Sequence, residues 1–171
     1  DRVMEVAELR GWSDDDVVIN VQGDEPLVPP AVINQLSESM REHADVPMAT
    51  LSEALHSESE FLDPNVVKVV CNDQGLAMLF SRAPIPYPRD SQGQRVPESA
   101  AKHVGIYAFR VRALRRFIAL GASTLEQVEM LEQMRWLQAG YPLLVIQAME
   151  RVPGGVDTPD DLARVQAHFS A

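Results

Sequence analysis

The stretch Asp16-Val-Val-Ile-Asn-Val-Gln-Gly-Asp-Glu-Pro26 (DVVINVQGDEP) decides the fold. Val17, Val18, Ile19 and Val21 form a compact β-branched run, which favours extended backbone, and the run stops at Gly23. So continuous an apolar run suits a strand covered on both faces, as in a parallel sheet. Just downstream, Pro29 and Pro30 open a predicted helix that continues to about Arg41, with Val32, Ile33, Leu36 and Met40 at helical spacing. A strand, a polar turn and an amphipathic helix in that order are the unit of an α/β fold.

Working outward, residues 1–11 read as a short helix ended by Gly11, and Ser13 to Asp16 as a loop. PMATLS (47–52) is a short strand. The runs VVKVVC and LAMLFS flank Asn72-Asp73-Gln74-Gly75, which is hairpin chemistry, so the sheet is expected to be mixed. Residues 83–102 form a proline-bearing loop that reads equally as a substrate-side loop or a connector. HVGIYAFR (103–110) is a strand and VRALRRFIAL (111–120) a helix. TLEQVEMLEQMRWLQAG (124–140) predicts one long helix, capped by Thr124 with Gln127 three residues on. In it Leu125, Val128, Leu131 and Met134 form the buried stripe, and Gly140 ends it. YPLLVIQAM (141–149) is a buried strand, and DTPDDLARVQAHF (157–169) a helix with Thr158 as N-cap and Pro159 in its first turn. With no repeat or linker, residues 1–171 read as a single α/β domain with a mixed sheet and an antiparallel insertion.

Composition narrows the class. Twenty-five acidic against fifteen basic side chains leave a net charge of -10, which argues against a nucleic-acid binder. No apolar run approaches the ~18 residues of a membrane span, so no membrane insertion is expected. The one cysteine, Cys71, excludes an internal disulfide and reads as a small buried hydrophobe, which suits a reducing, cytoplasmic setting. The seven methionines read as core filler.

Four groups could carry chemistry. VQGDEP puts Gln22, Asp24 and Glu25 at the carboxyl end of a strand, the edge where α/β sheets bind ligands, although the same residues also make an ordinary turn. After another predicted strand, Asp157 has no structural duty once Thr158 is assigned the cap. Two carboxylates from separate strand ends could share one Mg²⁺ together with substrate phosphates. Arg82 and Arg89 flank the proline-bearing loop, and a guanidinium fork suits a carboxylate. His103 and Tyr107 share one strand face, where a structural histidine is the commoner finding. Glu126, Glu129, Glu132 and Gln133 read as a solvated helix face, with Glu132 and Gln133 also able to bind hydroxyl groups.

In order along the chain, VVINVQGDEPLVPP, NVVKVV, LFSRAPIPYPRD, KHVGIYAFR, LEQVEMLEQMRWLQAGYPLLV and GGVDTPDDLARV resemble the 3-deoxy-D-manno-octulosonate cytidylyltransferases, or CMP-Kdo synthetases. The resemblance implies a Rossmann-like nucleotidyltransferase, acting as a cytoplasmic homodimer with Mg²⁺. It would convert CTP and the acidic sugar Kdo to CMP-Kdo and pyrophosphate for lipopolysaccharide biosynthesis. It also implies roles: Asp24 and Asp157 as catalytic metal ligands, Arg82 and Arg89 on the sugar's carboxylate and hydroxyls, and Gln22, His103, Tyr107, Glu132 and Gln133 completing the sugar pocket. Members of that family begin with a strand and a basic loop of the form Pro-Ala-Arg-x-x-Ser-x-Arg-Leu-Pro-x-Lys, which is absent from these 171 residues. The expectation is therefore an N-terminally incomplete domain, missing its first βαβ unit, that by itself does not turn over. The alternatives are a cytidylyltransferase for another sugar acid such as N-acylneuraminate, or a non-catalytic sugar-binding or dimerisation remnant.

Overall fold

The β-branched run becomes β1 (Val17–Asn20), but its hydrogen-bonded neighbour runs the other way. The computed structural model describes residues 2–92, 95–156 and 158–169. Along them lie α1 (Arg2–Arg10), β1, α2 (Pro30–Glu42), β2 (Met48–Ala54), α3 (Glu58–Leu62), β3 (Lys68–Cys71), β4 (Ala77–Ser81), β5 (Ala101–Arg110), α4 (Val111–Ala119), α5 (Thr124–Glu129), α6 (Gln133–Gln138), β6 (Leu144–Gln147) and α7 (Pro159–Phe169).

The sheet is mixed, in the order β4-β3-β5-β2-β6, with β1 also paired to β5. Among the described residues only β2 and β6 run parallel; β1, β2 and β3 each meet β5 antiparallel. The expectation that β1 is covered as in a parallel sheet is thus corrected. Val18 is buried, whereas Val17 and Ile19 are only partly so and Val21 is exposed. The β-branched run reports strand propensity, and strand direction is fixed by distant partners that the run does not contain. The hairpin forms as its turn residues predict: Asn72 Oδ1 accepts from the amides of Gln74 and Leu76, and Gly75 takes a φ of 74°.

One sheet face packs on α2 through Val32, Leu36 and Met40, and the other on α1, α4 and α6 through Met4, Leu114, Met134 and Trp136. Two buried cations tie loops to this frame. Lys68, wholly buried, donates its ammonium hydrogens to the carbonyls of Asp63, Val66 and Arg82 at 2.6–2.9 Å. Arg110 donates to the carbonyls of Val46 and Met40 at 3.0 and 2.8 Å, so it satisfies the end of α2 without an acidic partner.

The largest correction is at residues 124–140, where one long helix was expected. The chain breaks into α5 and α6 at Met130, which takes a left-handed φ of 54°. The cap is Ser123, not Thr124, in a reciprocal box with Glu126. The supposed apolar stripe divides: Leu131 and Met134 are buried, but Leu125 is 43% and Val128 81% exposed. Carboxylates take the inward positions instead. Glu126 is buried against Arg135, and Glu129 accepts from Ser81 Oγ at 2.6 Å and from the Arg82 amide at 3.0 Å. Two further expectations fail on exposure. Cys71 ends β3 in an exposed position, and Met78, Met130 and Met149 are at the surface rather than in the core.

Candidate functional site

Three segments distant in sequence converge on one cavity of about 270 Å³. The end of β1 contributes Asn20 and Gln22, β5 contributes His103, Gly105 and Tyr107, and the α5–α6 junction contributes Leu131, Glu132 and Gln133. Five of the residues named from the sequence, Gln22, His103, Tyr107, Glu132 and Gln133, therefore share one lining. Asn20 and Gly105 were missed. A glycine inside a strand was the available signal for Gly105, because it commonly marks a bulge or a close approach.

That bulge is present. Thr50 of β2 faces Tyr107 while Leu51 faces Val104, so Gly105 and Ile106 have no counterpart on β2. Two extra residues preserve the alternation of sides, and His103 and Tyr107 stay together with ring centroids 5.3 Å apart. Thr50, wholly buried, closes the bulge: its hydroxyl lies 2.8 Å from Ile106 O, 3.2 Å from Val104 O and 3.0 Å from His103 Nε2.

The lining sets apolar Met48, Phe109, Phe117 and Leu131 beside polar groups that are unspent. Gln133 is only 6% exposed, yet its side-chain amide makes no hydrogen bond among the described residues. The same holds for the Gln22 amide and the Tyr107 hydroxyl, and none of these atoms is sealed away without a partner. These groups are reached by solvent and keep their hydrogen-bonding capacity, so they are open to an occupant that supplies partners. Burial, reinforced by the charge of Glu132, pushes the Tyr107 phenol above its ordinary range and keeps it a donor. Burial pushes His103 down to about 4, so its ring is neutral at neutral pH. Neutral donors and acceptors plus one carboxylate suit hydroxyl groups.

Next to this cavity is the loop that carries Asp24. A second depression shares His103 and Gly105 with the first and extends to Glu25, Lys102 and Gly154. Val156 N donates to Asp24 O at 2.8 Å. A Cβ at Gly155 would lie 2.9 Å from that same carbonyl and 3.0 Å from Glu25 Oε1, so only glycine permits so close an approach. The Asp24 carboxylate is exposed and has no hydrogen bond or ion pair among the described residues. The turn is held by backbone, Glu25 N to Gln22 O at 3.1 Å, and does not use that carboxylate. Asp157 lies outside the described residues, and so does the expectation that it approaches Asp24. Among the described residues no three His, Cys, Asp or Glu side chains gather to hold a metal unaided. A hard-oxygen ligand without a partner among the described residues, beside a cavity, fits Mg²⁺, which completes its shell with water and phosphate oxygens.

The two arginines are elsewhere. Arg82 directs Nε to Glu129 O at 2.7 Å and Nη1 to Pro64 O at 2.9 Å, so it fastens β4 to the end of α5. Arg89 sits in a separate depression with Asp90, Ser91 and Arg95. Neither lines the cavity.

Residues 1–149 match the protein family described as cytidylyltransferase. The chain is 47% identical over 173 aligned residues to the 3-deoxy-manno-octulosonate cytidylyltransferase of Cellvibrio japonicus, an alignment covering 98% of this chain and 68% of that protein. It is also 47% identical to the enzyme of that name from Saccharophagus degradans, covering 100% of this chain and 70% of that one. Among solved structures, it is similar to a CMP:2-keto-3-deoxy-manno-octonic acid synthetase complexed with CTP, with a TM-score of 0.87, 40% identity, 99% of this chain and 66% of that one. A 4-diphosphocytidyl-2C-methyl-D-erythritol synthase shares the fold, with a TM-score of 0.58 at 13% identity, covering 98% of this chain and 64% of that one. The chain thus spans about two thirds of the length of these relatives.

Proposed function

The chain belongs to the cytidylyltransferase family, among the 3-deoxy-manno-octulosonate cytidylyltransferases, and from that premise we propose that its cavity is the Kdo site of a CMP-Kdo synthetase. In this reading the anomeric hydroxyl of Kdo attacks the α-phosphorus of CTP. One oxygen–phosphorus bond forms as the bond to the departing pyrophosphate breaks in line, and the hydroxyl loses its proton. Such transfer depends on positioning and on neutralising charge more than on covalent chemistry by the protein. The observation that carries the reading is a set of side chains with no hydrogen-bond or ion-pair partner among the described residues, Gln22, Tyr107 and Gln133 around one cavity and Asp24 beside it.

Each residue then has a task. Gln22 and Gln133 hold sugar hydroxyls through amides that donate and accept, Tyr107 donates, and Glu132 accepts. Asp24, with Asp157, would hold Mg²⁺, which supplies charge neutralisation at the phosphate when bound. The engaged donors of Arg82 favour a role for it in fixing α5 rather than in meeting the sugar's carboxylate. A cytoplasmic homodimer serving lipopolysaccharide biosynthesis belongs to the same reading. Exposed Met78, Val128 and Met130, on elements joined through Glu129, offer apolar area for a second copy. Among the described residues no helix is long and apolar enough to cross a membrane.

The test is calorimetric titration with Kdo in the presence of Mg²⁺, beside N-acylneuraminate and an 8-amino Kdo analogue. Saturable binding that prefers Kdo is expected, and a chain indifferent to all three sugar acids defeats the assignment.

A further inference from the structure

The contacts of Thr50 bear on how His103 meets its ligand. A threonine hydroxyl has one hydrogen to donate and two lone pairs. Its two backbone neighbours, Ile106 O at 2.8 Å and Val104 O at 3.2 Å, can only accept. Were the hydrogen turned toward His103, oxygen lone pairs would face each other at 2.8 Å across the Thr50–Ile106 contact. The hydrogen therefore belongs to the carbonyls of Ile106 and Val104, and Oγ1 accepts from His103 Nε2 at 3.0 Å. The ring nitrogen left over, Nδ1, has no partner among the described residues and is not sealed from solvent, and His103 lines both the cavity and the depression beside it.

We propose that Thr50 is a positioning residue that holds His103 in its Nε2–H tautomer, so that Nδ1 presents a bare lone pair to the cavity as the acceptor for one hydroxyl of the bound sugar. This rests on the reading of the cavity as a sugar site. The consequence is selective: a lone pair on a neutral ring accepts from a hydroxyl but repels a carboxylate oxygen, so the acidic end of the sugar lies away from His103. The ring remains neutral through the working range, since burial holds its pKa near 4. The tautomer is then set by the Thr50 contact and not by pH.

Ring-nitrogen NMR of histidine-labelled protein tests this without ligand, with His103→Gln to assign the signal. The expected result is hydrogen on Nε2 in the native chain and in Thr50→Ser, which keeps the hydroxyl, and loss of that preference in Thr50→Val. Hydrogen on Nδ1 in the native chain overturns the proposal, as does an unchanged tautomer in Thr50→Val. Should Thr50→Val fail to fold, Thr50→Ala, which also lacks the hydroxyl, carries the same comparison. Kdo titration forms the second arm: Thr50→Ser is expected to bind as the native chain does, and Thr50→Val about tenfold more weakly, the worth of one hydrogen bond. If no variant binds Kdo while the tautomer is as expected, the sugar-site reading fails and the Thr50–His103 contact stands.

Discussion

Gly105 is the residue whose identity the backbone leaves unexplained. It does not adopt the left-handed φ that favours glycine, and a Cβ built on it meets nothing within 4 Å. A glycine inside a strand costs about 0.5–1 kcal/mol relative to alanine, so the fold alone would prefer a side chain here. Gly105 lies between His103 and Tyr107 and lines both depressions, so on the proposed sugar-site reading the space a side chain would take is the ligand's. Gly105→Val should unfold at the same or a higher temperature than the native chain yet lose measurable Kdo binding, with Gly105→Ala intermediate. Unaltered affinity in the valine variant would mean that the sugar sits elsewhere. Most of the pocket was legible as residue types, because Gln22, His103, Tyr107, Glu132 and Gln133 stand in recognisable motifs. Thr50 was not, since nothing in PMATLS announces a hydroxyl that reaches across to a bulge in another strand.

At the scale of elements, the break between α5 and α6 shows how tertiary contacts override a local pattern. The run 124–140 has helical periodicity throughout, and periodicity alone cannot register that Ser81 and Arg82 take hold of Glu129. With the Glu129 carbonyl and carboxylate both engaged by β4, the helix ends at Met130 and restarts with Glu132 and Gln133 facing the cavity. Glu129→Ala should therefore lower stability by roughly 1–3 kcal/mol in denaturant titrations and weaken Kdo binding as well. A fully stable variant, or a destabilised one that binds sugar normally, would show that the clamp does not set α6. Exposed Val128→Ala serves as the neutral control. The second tie across the break is the Glu126–Arg135 ion pair, with side chains 11% and 19% exposed. The hydrogen bond from Arg135 holds the Glu126 carboxyl below the usual carboxylate range. A folded-state pKa lowered in this way contributes stability that is present above the unfolded value of about 4.3 and fades as pH falls through the folded value. The gap in unfolding midpoint between the native chain and Glu126→Gln should thus be largest near neutral pH and close as the solution is taken below about pH 4. A gap independent of pH would assign the loss to packing or to the Ser123 cap instead.

At the scale of the molecule, the sheet assembles the site. β5 pairs with β1 and β3 along one edge and with β2 along the other, and it is this antiparallel arrangement that brings residues 20–22, 103–107 and 132–133 to one place. Strands and most helices were legible one by one from β-branching, caps and turn chemistry. Their directions were not, because pairing is a property of two segments and each run describes only itself. The same limit left Asp24 open between a turn residue and a metal ligand, and the two readings now separate. If the carboxylate served the turn, it would accept nearby amides; the turn is instead closed by backbone, and among the described residues the carboxylate has no partner. Asp24→Asn should consequently leave unfolding free energy within about 0.5 kcal/mol of the native value, as expected for a surface change away from structural contacts. Mg²⁺ binding followed by calorimetry should weaken by about tenfold or more in the same variant, because the ion loses a hard-oxygen ligand. Kdo affinity measured without CTP should stay close to native, since Asp24 does not line the sugar cavity. The opposite pattern, a destabilised chain that binds Mg²⁺ as the native chain does, would return Asp24 to the turn and require the metal to be held by other groups.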